Sequence, residues 1–230
     1  MDALSSWDVI KNNLPWLLWG AWPDGPLGGL ALTVVLAAGS ALGSAVLGLA
    51  LGILLAVLRG VPRHALLGTL AFLRAIPVLM LIFWVYFLLP ICLHIDVPGV
   101  WSVMCALTLI SAAYLAHAVY AGIEGISKGQ WEAALATGLT HWQTLRLVIL
   151  PQALRMMAPS FINQWVTLIK DTSLAYIVGV GELAMVTAQV SNRVMIYPAQ
   201  LFLFAGVLYF ALCQGVTWAG NRVAKTAWQS

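Results

Sequence analysis

The run from residue 30 to residue 58 contains no charged side chain, and it limits what the chain can fold into more than any other feature. A helix needs about 20 mainly apolar residues to cross a bilayer. Four further stretches approach this requirement, at about residues 76–93, 100–121, 152–171 and 199–220. Only 8% of the residues are charged, whereas a soluble domain has about 25%. We therefore predict an all-α, polytopic membrane protein with about five transmembrane helices.

The basic residues are distributed unevenly between the loops that join these five stretches. One side has Lys11 and Arg193. The other side has eight of the 11 basic residues: Arg59, Arg63, Arg74, Lys128, Arg146, Arg155, Arg222 and Lys225. Because cytoplasmic loops are enriched in Lys and Arg, we predict that the N-terminus is outside and the C-terminus is cytoplasmic. The net charge of +3 is small and spread out, so no nucleic-acid surface is expected.

We expect a single domain over residues 1–230, since no linker or internal repeat interrupts the chain. Within it, residues 1–28 are predicted to form an external segment at the membrane interface, which suits tryptophan. Residues 30–220 are predicted to form the helical core. The histidines and cysteines lack the spacing of metal ligands, so no metal site is expected.

A polar stretch between the third and fourth apolar segments, SKGQWEAALATGLTHWQTLRLVILPQA at residues 127–153, is strongly patterned. Ser127 and Gln130 have capping-box spacing, and Thr140 and Gln143 repeat it. Gly138 is placed to end the first helix, as glycine commonly does. The pattern predicts two short cytoplasmic helices joined by a glycine bend, with Pro151 separating the second helix from the fourth span.

Helical periodicity also predicts which faces of these two short helices are apolar. The predicted face of the first is Trp131, Ala134 and Leu135, and that of the second is Trp142, Leu145 and Ile149. A rigid hairpin of this kind suits docking into a partner. An ordinary amphipathic hairpin lying on the bilayer fits the same pattern, so patterning alone leaves both interpretations open.

Several segments of the chain resemble a known family. The EAA sequence at residues 132–134, Gly138 and the ILP sequence at residues 149–151 resemble the EAA loop of permease subunits in ATP-binding-cassette importers. FLRAIPVLMLIFWVYF at residues 72–87 and LIKDTSLAYIVGVGEL at residues 168–183 resemble the polar amino-acid branch of that family. The THWQ and ILPQA segments are similar to those of glutamate/aspartate permeases.

The resemblance implies the fold of type I importer permeases and a place in the bacterial inner membrane. It implies import of a polar amino acid, first of all glutamate or aspartate, into the cytoplasm. It also implies three kinds of partner: an ATPase subunit dimer, a second permease chain that is identical or related, and a periplasmic substrate-binding protein.

The family's coupling helix corresponds to the loop at residues 122–151, which the resemblance predicts to fit a groove on the ATPase. The residues that it assigns to coupling are Glu132, Ala133, Ala134, Gly138, Thr140, His141, Leu150 and Pro151. The sequence contains no G-x-x-x-x-G-K-[ST] motif. ATP and Mg are therefore expected on the separate ATPase, and this chain is predicted to have no catalytic residue and no cofactor of its own.

Polar side chains follow one helical face of the predicted fourth span, at Asn163, Thr167, Lys170 and Asp171. Polar groups inside a membrane usually face the protein interior or a water-filled cavity. The face therefore predicts a substrate path. Lys170 either contacts an anionic substrate or only neutralises a carboxylate, in Asp171 or in another chain.

A helix is predicted to follow this span at about residues 174–190, capped by Asp171, Thr172 or Ser173. A helix N-terminus at membrane depth would favour a substrate carboxylate. Three interpretations of Arg193, in the outer segment, remain open: an ordinary solvated charge, a contact to the external binding protein, or an attractor for an anionic substrate.

A secondary transporter and an intramembrane enzyme are the alternatives to a permease. A secondary amino-acid transporter driven by an ion gradient needs intramembrane carboxylates for coupling, and Asp171 is the only acid predicted well inside a span. An intramembrane enzyme needs a buried nucleophile and base, and no such motif is present. Both classes are therefore less consistent with the sequence.

Overall fold

The structure of the protein is a computed structural model that describes residues 6–229, with side chains from residue 7 to residue 224. Over this range the chain forms α1 (Ser6–Trp19), α2 (Gly29–Val57), α3 (Val61–Ala75), α4 (Val78–Leu93), α5 (Gly99–Glu124), α6 (Lys128–Ala136), α7 (His141–Val178), α8 (Leu183–Val194) and α9 (Pro198–Gln229). Residues 1–5 of the predicted external segment and the side chain of Lys225 lie outside the described residues.

The predicted membrane-spanning character is confirmed. Within the described residues, α2, α5, α7 and α9 are long and apolar enough to cross a membrane. The pair α3 and α4 forms a fifth candidate that is bent by 103°. The bend lies at Ile76 and Pro77, where Ile76 is extended with a ψ of 135°. This follows from the steric effect of proline, which disfavours helical backbone in the residue before it.

The segment expected to be a loop between the first and second spans is mainly helical. Its helix, α3, buries Leu70 in a core with Leu55, Ala113 and Ala116. The guanidinium groups of its two arginines stack over tyrosine rings of α5, each 5.2 Å from the ring centroid: Arg63 over Tyr120 and Arg74 over Tyr114. The sequence prediction missed this helix because it is too short and too polar to be recognised as a span.

The predicted break at Pro151 is absent, and α7 runs from His141 to Val178 without interruption. Proline lacks an N–H, and its ring collides with the carbonyl four residues earlier in a regular helix. The turn before it, Leu145–Ile149, is a π-helix in which the N–H of Leu150 donates to the carbonyl of Leu145. This wider turn accommodates Pro151 and keeps the helix continuous.

The chain divides into two compact units, and α2, α5, α7 and α9 each contribute to both. The first unit comprises Met1–Ala41, Pro77–Leu107 and Val166–Gly215. Its core includes Val9, Ile10, Leu17, Val186, Val190 and Leu201. The second unit comprises Leu42–Ile76, Thr108–Trp165 and Val216–Ser230. Its core includes Val119, Ile123, Leu145, Ile149, Ala153 and Met157.

Candidate functional site

Two short helices in the second unit, α6 and the first turns of α7, form a hairpin that we call the knob (residues 128–151). The capping box predicted for its second helix is present: Gln143 N donates to Thr140 Oγ1 at 3.3 Å, and Thr140 N donates to Gln143 Oε1 at 2.8 Å. Ser127 caps α6 in position only, because its side chain makes no capping hydrogen bond. The amide oxygen of Gln130 instead accepts from Gln152 Nε2 at 3.3 Å.

The bend of the knob depends on Gly138. Its φ is +88°, in the left-handed region that favours glycine. A Cβ built at this position would meet no heavy atom within 4 Å. The requirement for glycine therefore comes from the backbone conformation and not from crowding.

Burial separates the side chains of the knob into an anchoring set and an outward set. Ala134, Leu145 and Ile149 are buried in the core of the second unit. Trp142 was predicted on the same apolar face, but it is 56% exposed, so that prediction is wrong. It is the first turn of α7, ahead of the wider turn, that places Trp142 on the surface.

Most of the residues predicted to couple to an ATPase belong to the exposed, outward set. The exposed ones are Glu132, Ala133, Gly138, Thr140, His141 and Pro151. Leu150 is half-buried, and Ala134 is buried. Next to the knob lies a cleft of about 550 Å³, lined by Arg59, Glu124, Trp131, His141 and Trp142 among others. The structure therefore presents an anchored hairpin whose outer surface mixes polar and apolar side chains.

The polar residues predicted to line a path lie on α7. Thr167 and Lys170 are exposed in the first unit, and Asn163 is exposed in the second. Asp171 is half-buried, and its charge interacts with that of Lys170. Each of these polar groups is thus accessible in the isolated chain, although the chain itself is strongly apolar.

The helix start predicted at residues 171–173 is absent. The hydroxyls of Thr172 and Ser173 donate backwards to the carbonyls of Ile169 and Lys170, both at 2.7 Å. The seven residues Thr172–Val178 tighten into a 3₁₀-helix. Asp171 keeps a helical backbone, with φ −68° and ψ −20°, and makes no side-chain capping hydrogen bond, so the existing helix continues here and no new one starts. The next helix, α8, begins 11 residues further along, at Leu183.

The residue that caps α8 is Glu182, which the sequence analysis did not single out. Its side chain is fully buried. Oε1 accepts from Met185 N at 3.0 Å, and Oε2 accepts from the Tyr209 hydroxyl at 2.5 Å and from Thr33 Oγ1 at 3.4 Å. Burial raises the pKa of Glu182 above its ordinary value, and these donors counteract that rise. The sequence signal was an acid directly after the glycine-rich turn at residues 179–181.

Arg193 occupies the last turn of α8, where a positive charge complements the helix dipole. Its guanidinium lies 5.2 Å from the ring centroid of Trp16 in α1. This contact gives Arg193 a structural role in the first unit that none of the three interpretations included, and its charge remains exposed.

Comparison with known proteins identifies related sequences. Residues 48–227 match the family described as the inner membrane component of binding-protein-dependent transport systems. The glutamate/aspartate import permease protein GltK of Escherichia coli O157:H7 is 37% identical over 147 residues, which cover 60% of this chain and 65% of GltK. The probable glutamine ABC transporter permease protein GlnP of Bacillus subtilis (strain 168) is 35% identical over 156 residues, covering 66% of this chain and 70% of GlnP. The arginine transport system permease protein ArtQ of the same strain is 32% identical over 152 residues, covering 66% of this chain and 69% of ArtQ.

Comparison with solved structures supports the fold. A chain from the crystal structure of an amino acid ABC transporter with histidines matches with a TM-score of 0.81 at 19% identity, covering 97% of this chain and 99% of that one. A chain of the inward-facing methionine ABC transporter MetNI matches with a TM-score of 0.76 at 24% identity, covering 93% and 97%. The type I importer permease fold implied by the resemblance is confirmed. With a family match over residues 48–227, the chain belongs to the family of inner membrane components of binding-protein-dependent transport systems.

Proposed function

We propose that the chain is the permease subunit of an ATP-driven importer that moves a polar amino acid across the bacterial inner membrane. The observation that carries the proposal is the exposed, anchored knob in a chain of this family. The relatives GltK, GlnP and ArtQ are all named as permeases for polar amino acids. The proposal includes a dimeric ATPase, which binds ATP and Mg, a second permease chain, and a periplasmic binding protein.

Coupling in this proposal runs through the knob. Glu132, Ala133 and the other exposed coupling residues contact the ATPase, while Ala134 and Leu150 face the second unit. The helix that leaves the knob is α7, which also carries Asn163, Thr167 and Lys170. When ATP closes the ATPase dimer, the displacement of the knob is passed along this continuous helix to the proposed path.

The proposed topology places the knob in the cytoplasm, the N-terminus outside and the C-terminus inside. The support for this arrangement is the uneven distribution of basic residues. The segment that contains Arg193 then lies on the periplasmic side, where its exposed charge is available to the binding protein.

The proposed substrate is glutamate or aspartate. The ammonium group of Lys170 supports this choice, because it offers a positive charge to an anionic substrate. An anion that crosses a region of low dielectric is costly unless a cation or oriented donors compensate its charge. Lys170 lies within α7 and is exposed. Thr172 and Ser173 enter the proposal as part of the helical turn that follows Lys170, where their hydroxyls donate to preceding carbonyls.

Reconstitution with the cognate ATPase and binding protein in proteoliposomes tests this function. We expect uptake of a polar amino acid that requires ATP and survives collapse of the proton gradient. Uptake that stops with the gradient and continues without ATP would instead support the secondary transporter. Glutamate, aspartate, glutamine and arginine are compared at equal amounts of assembled complex.

The Lys170→Met variant separates the two roles considered for Lys170. If the ammonium group contacts the substrate, uptake of glutamate falls much more than uptake of glutamine. If it only neutralises Asp171, every substrate is affected through assembly, and the double variant Lys170→Met, Asp171→Asn partly restores the complex. Normal glutamate uptake by the single variant would end the proposal of substrate contact.

A further inference from the structure

A group of buried polar side chains in the first unit has no place in the function described so far. We call it the Glu182 cluster, and it consists of Thr33, Glu182 and Tyr209. Thr33 and Glu182 are fully buried. A buried carboxylate is costly unless hydrogen bonds compensate it. A helix cap alone would not require this burial, since exposed Ser, Thr, Asp or Asn caps a helix equally well.

The two oxygens of the Glu182 carboxylate accept hydrogen bonds from different segments. Oε1 caps α8 by accepting from Met185 N. Oε2 accepts from Tyr209 in α9 and from Thr33 in α2. The backbone adds two contacts between the same segments, from Gly29 N to Gly181 O at 2.9 Å and from Leu183 N to Thr33 Oγ1 at 3.1 Å. The start of α2, the start of α8 and the middle of α9 are therefore joined at one carboxylate.

The backbone connects this junction to the segment that follows Lys170 and Asp171. Glu182 N donates to Val180 O at 2.8 Å, and Val180 N donates to Ala175 O at 3.2 Å. Ala175 lies in the 3₁₀ turn Thr172–Val178, whose first residue donates to the carbonyl of Ile169. The chain of contacts from Glu182 thus reaches the turn that holds Lys170 and Asp171, and every member of it belongs to the first unit.

We propose that Glu182 is a positioning residue for translocation: held by Tyr209 and Thr33, it fixes the 3₁₀ turn Thr172–Val178, and with it the orientation of Lys170 and Asp171 toward the substrate. This inference rests on the proposed function. Glu182 itself does not contact the substrate. Its role depends on hydrogen bonds of the right geometry at the buried site. The amide of glutamine has the same shape as the carboxylate and is able to replace it, whereas the methyl group of alanine makes no hydrogen bond and is not.

Four variants test the inference in the complete complex with ATPase and binding protein. Tyr209→Phe removes only the hydroxyl, and Glu182→Ala removes the whole junction. Glu182→Gln keeps an acceptor for Met185 N and offers an amide N–H₂ to Tyr209 and Thr33. Tyr197→Phe is the matched control, because it removes a tyrosine hydroxyl in the same unit outside the cluster.

The decisive measurement is the amount of substrate moved per ATP hydrolysed, normalised to assembled complex. Leaving a buried polar group without its partner costs about 1–3 kcal/mol, which corresponds to roughly fivefold or more in an equilibrium. We therefore expect Tyr209→Phe and Glu182→Ala to lower transport per ATP by about tenfold, while ATPase activity stimulated by the loaded binding protein stays within about twofold of the wild type. Glu182→Gln and Tyr197→Phe are expected to remain close to the wild type.

A merely structural role gives a different result. The variants would then lower the yield and thermal stability of the complex but leave transport per ATP unchanged, and this would overturn the inference. Equal losses in Glu182→Gln and Glu182→Ala would overturn it as well, since geometry would then not be the requirement. If the Glu182→Ala complex does not assemble, transport per ATP in Tyr209→Phe and Glu182→Gln tests the inference.

A wild-type complex without ATP-dependent uptake would overturn the proposed function, whereas an active wild type with normal variants would overturn only this inference.

Discussion

The approach of α2 to α5 at Gly52 leads to a quantitative prediction about packing in the second unit. A Cβ added at Gly52 would lie 2.4 Å from Val119 Cβ and 2.8 Å from the Ala116 carbonyl oxygen, whereas ordinary contact begins at 3.4 Å. Gly48, one turn earlier, is similarly close to Leu115 Cβ, at 2.6 Å. Small residues spaced four apart let membrane helices approach closely. The substitution Gly52→Ala therefore forces the helices apart by about 1 Å.

The expected cost follows from two opposing terms. Inserting a carbon into a packed interface costs about 1–3 kcal/mol, and replacing a helical glycine by alanine gains about 1 kcal/mol. The upper end of the cost applies because the obstacles are a Cβ and a backbone carbonyl, which cannot rotate away. The net loss is about 2 kcal/mol, which lowers the Tm by about 4–8 °C in a chain of this size.

Thermal unfolding of the purified complex in detergent measures this loss. The matched control is Gly206→Ala in α9, where a Cβ would meet nothing within 4 Å. We expect the Tm of the control to be unchanged or to rise by up to about 4 °C. The packing argument is refuted if Gly52→Ala unfolds at the same temperature as Gly206→Ala.

Three further predictions concern the knob and the topology. Gly138→Val imposes a left-handed conformation on a β-branched residue at a cost of at least about 1–2 kcal/mol, so we expect uptake to fall while membrane insertion continues; unchanged uptake would show that the bend is not needed. Glu132→Lys reverses an exposed charge on the proposed docking surface, so pull-down of the ATPase should weaken; equal recovery with the wild type would remove the residue from that surface. In a background without the native cysteines, a cysteine placed at Asp24 should react with an impermeant reagent from outside only, and labelling from the cytoplasm would reverse the topology.

The elements that the sequence predicted well are those determined by local composition. The apolar runs appear as spans because a helix satisfies its own backbone groups in a membrane. The predicted start of the first span at residue 30 differs from that of α2 by one residue. The Thr140 capping box and the bend at Gly138 are also confirmed, since each depends on a few neighbouring residues.

The elements that the sequence did not predict depend on contacts between distant residues. Glu182 bonds to Thr33, which is 149 residues away, and to Tyr209, which is 27 residues away. The glycine-rich turn before Glu182 is a local signal for a helix start, but no local pattern shows that its carboxylate is buried. The helix start predicted at Thr172 fails because the backbone there stays helical, and the Thr172 hydroxyl donates to the carbonyl of Ile169 in the preceding turn.

The error at Pro151 bears directly on how the molecule is proposed to work. A proline-broken junction between the knob and the fourth span would act as a hinge, and a displacement of the knob would then be absorbed there. The π-helical turn Leu145–Ile149 removes the hinge, since it accommodates the proline within a continuous helix. Leu145 and Ile149 are buried in this turn, which fixes it against the core of the second unit. The proposed coupling requires a knob joined rigidly to α7, and the wide turn supplies this continuity.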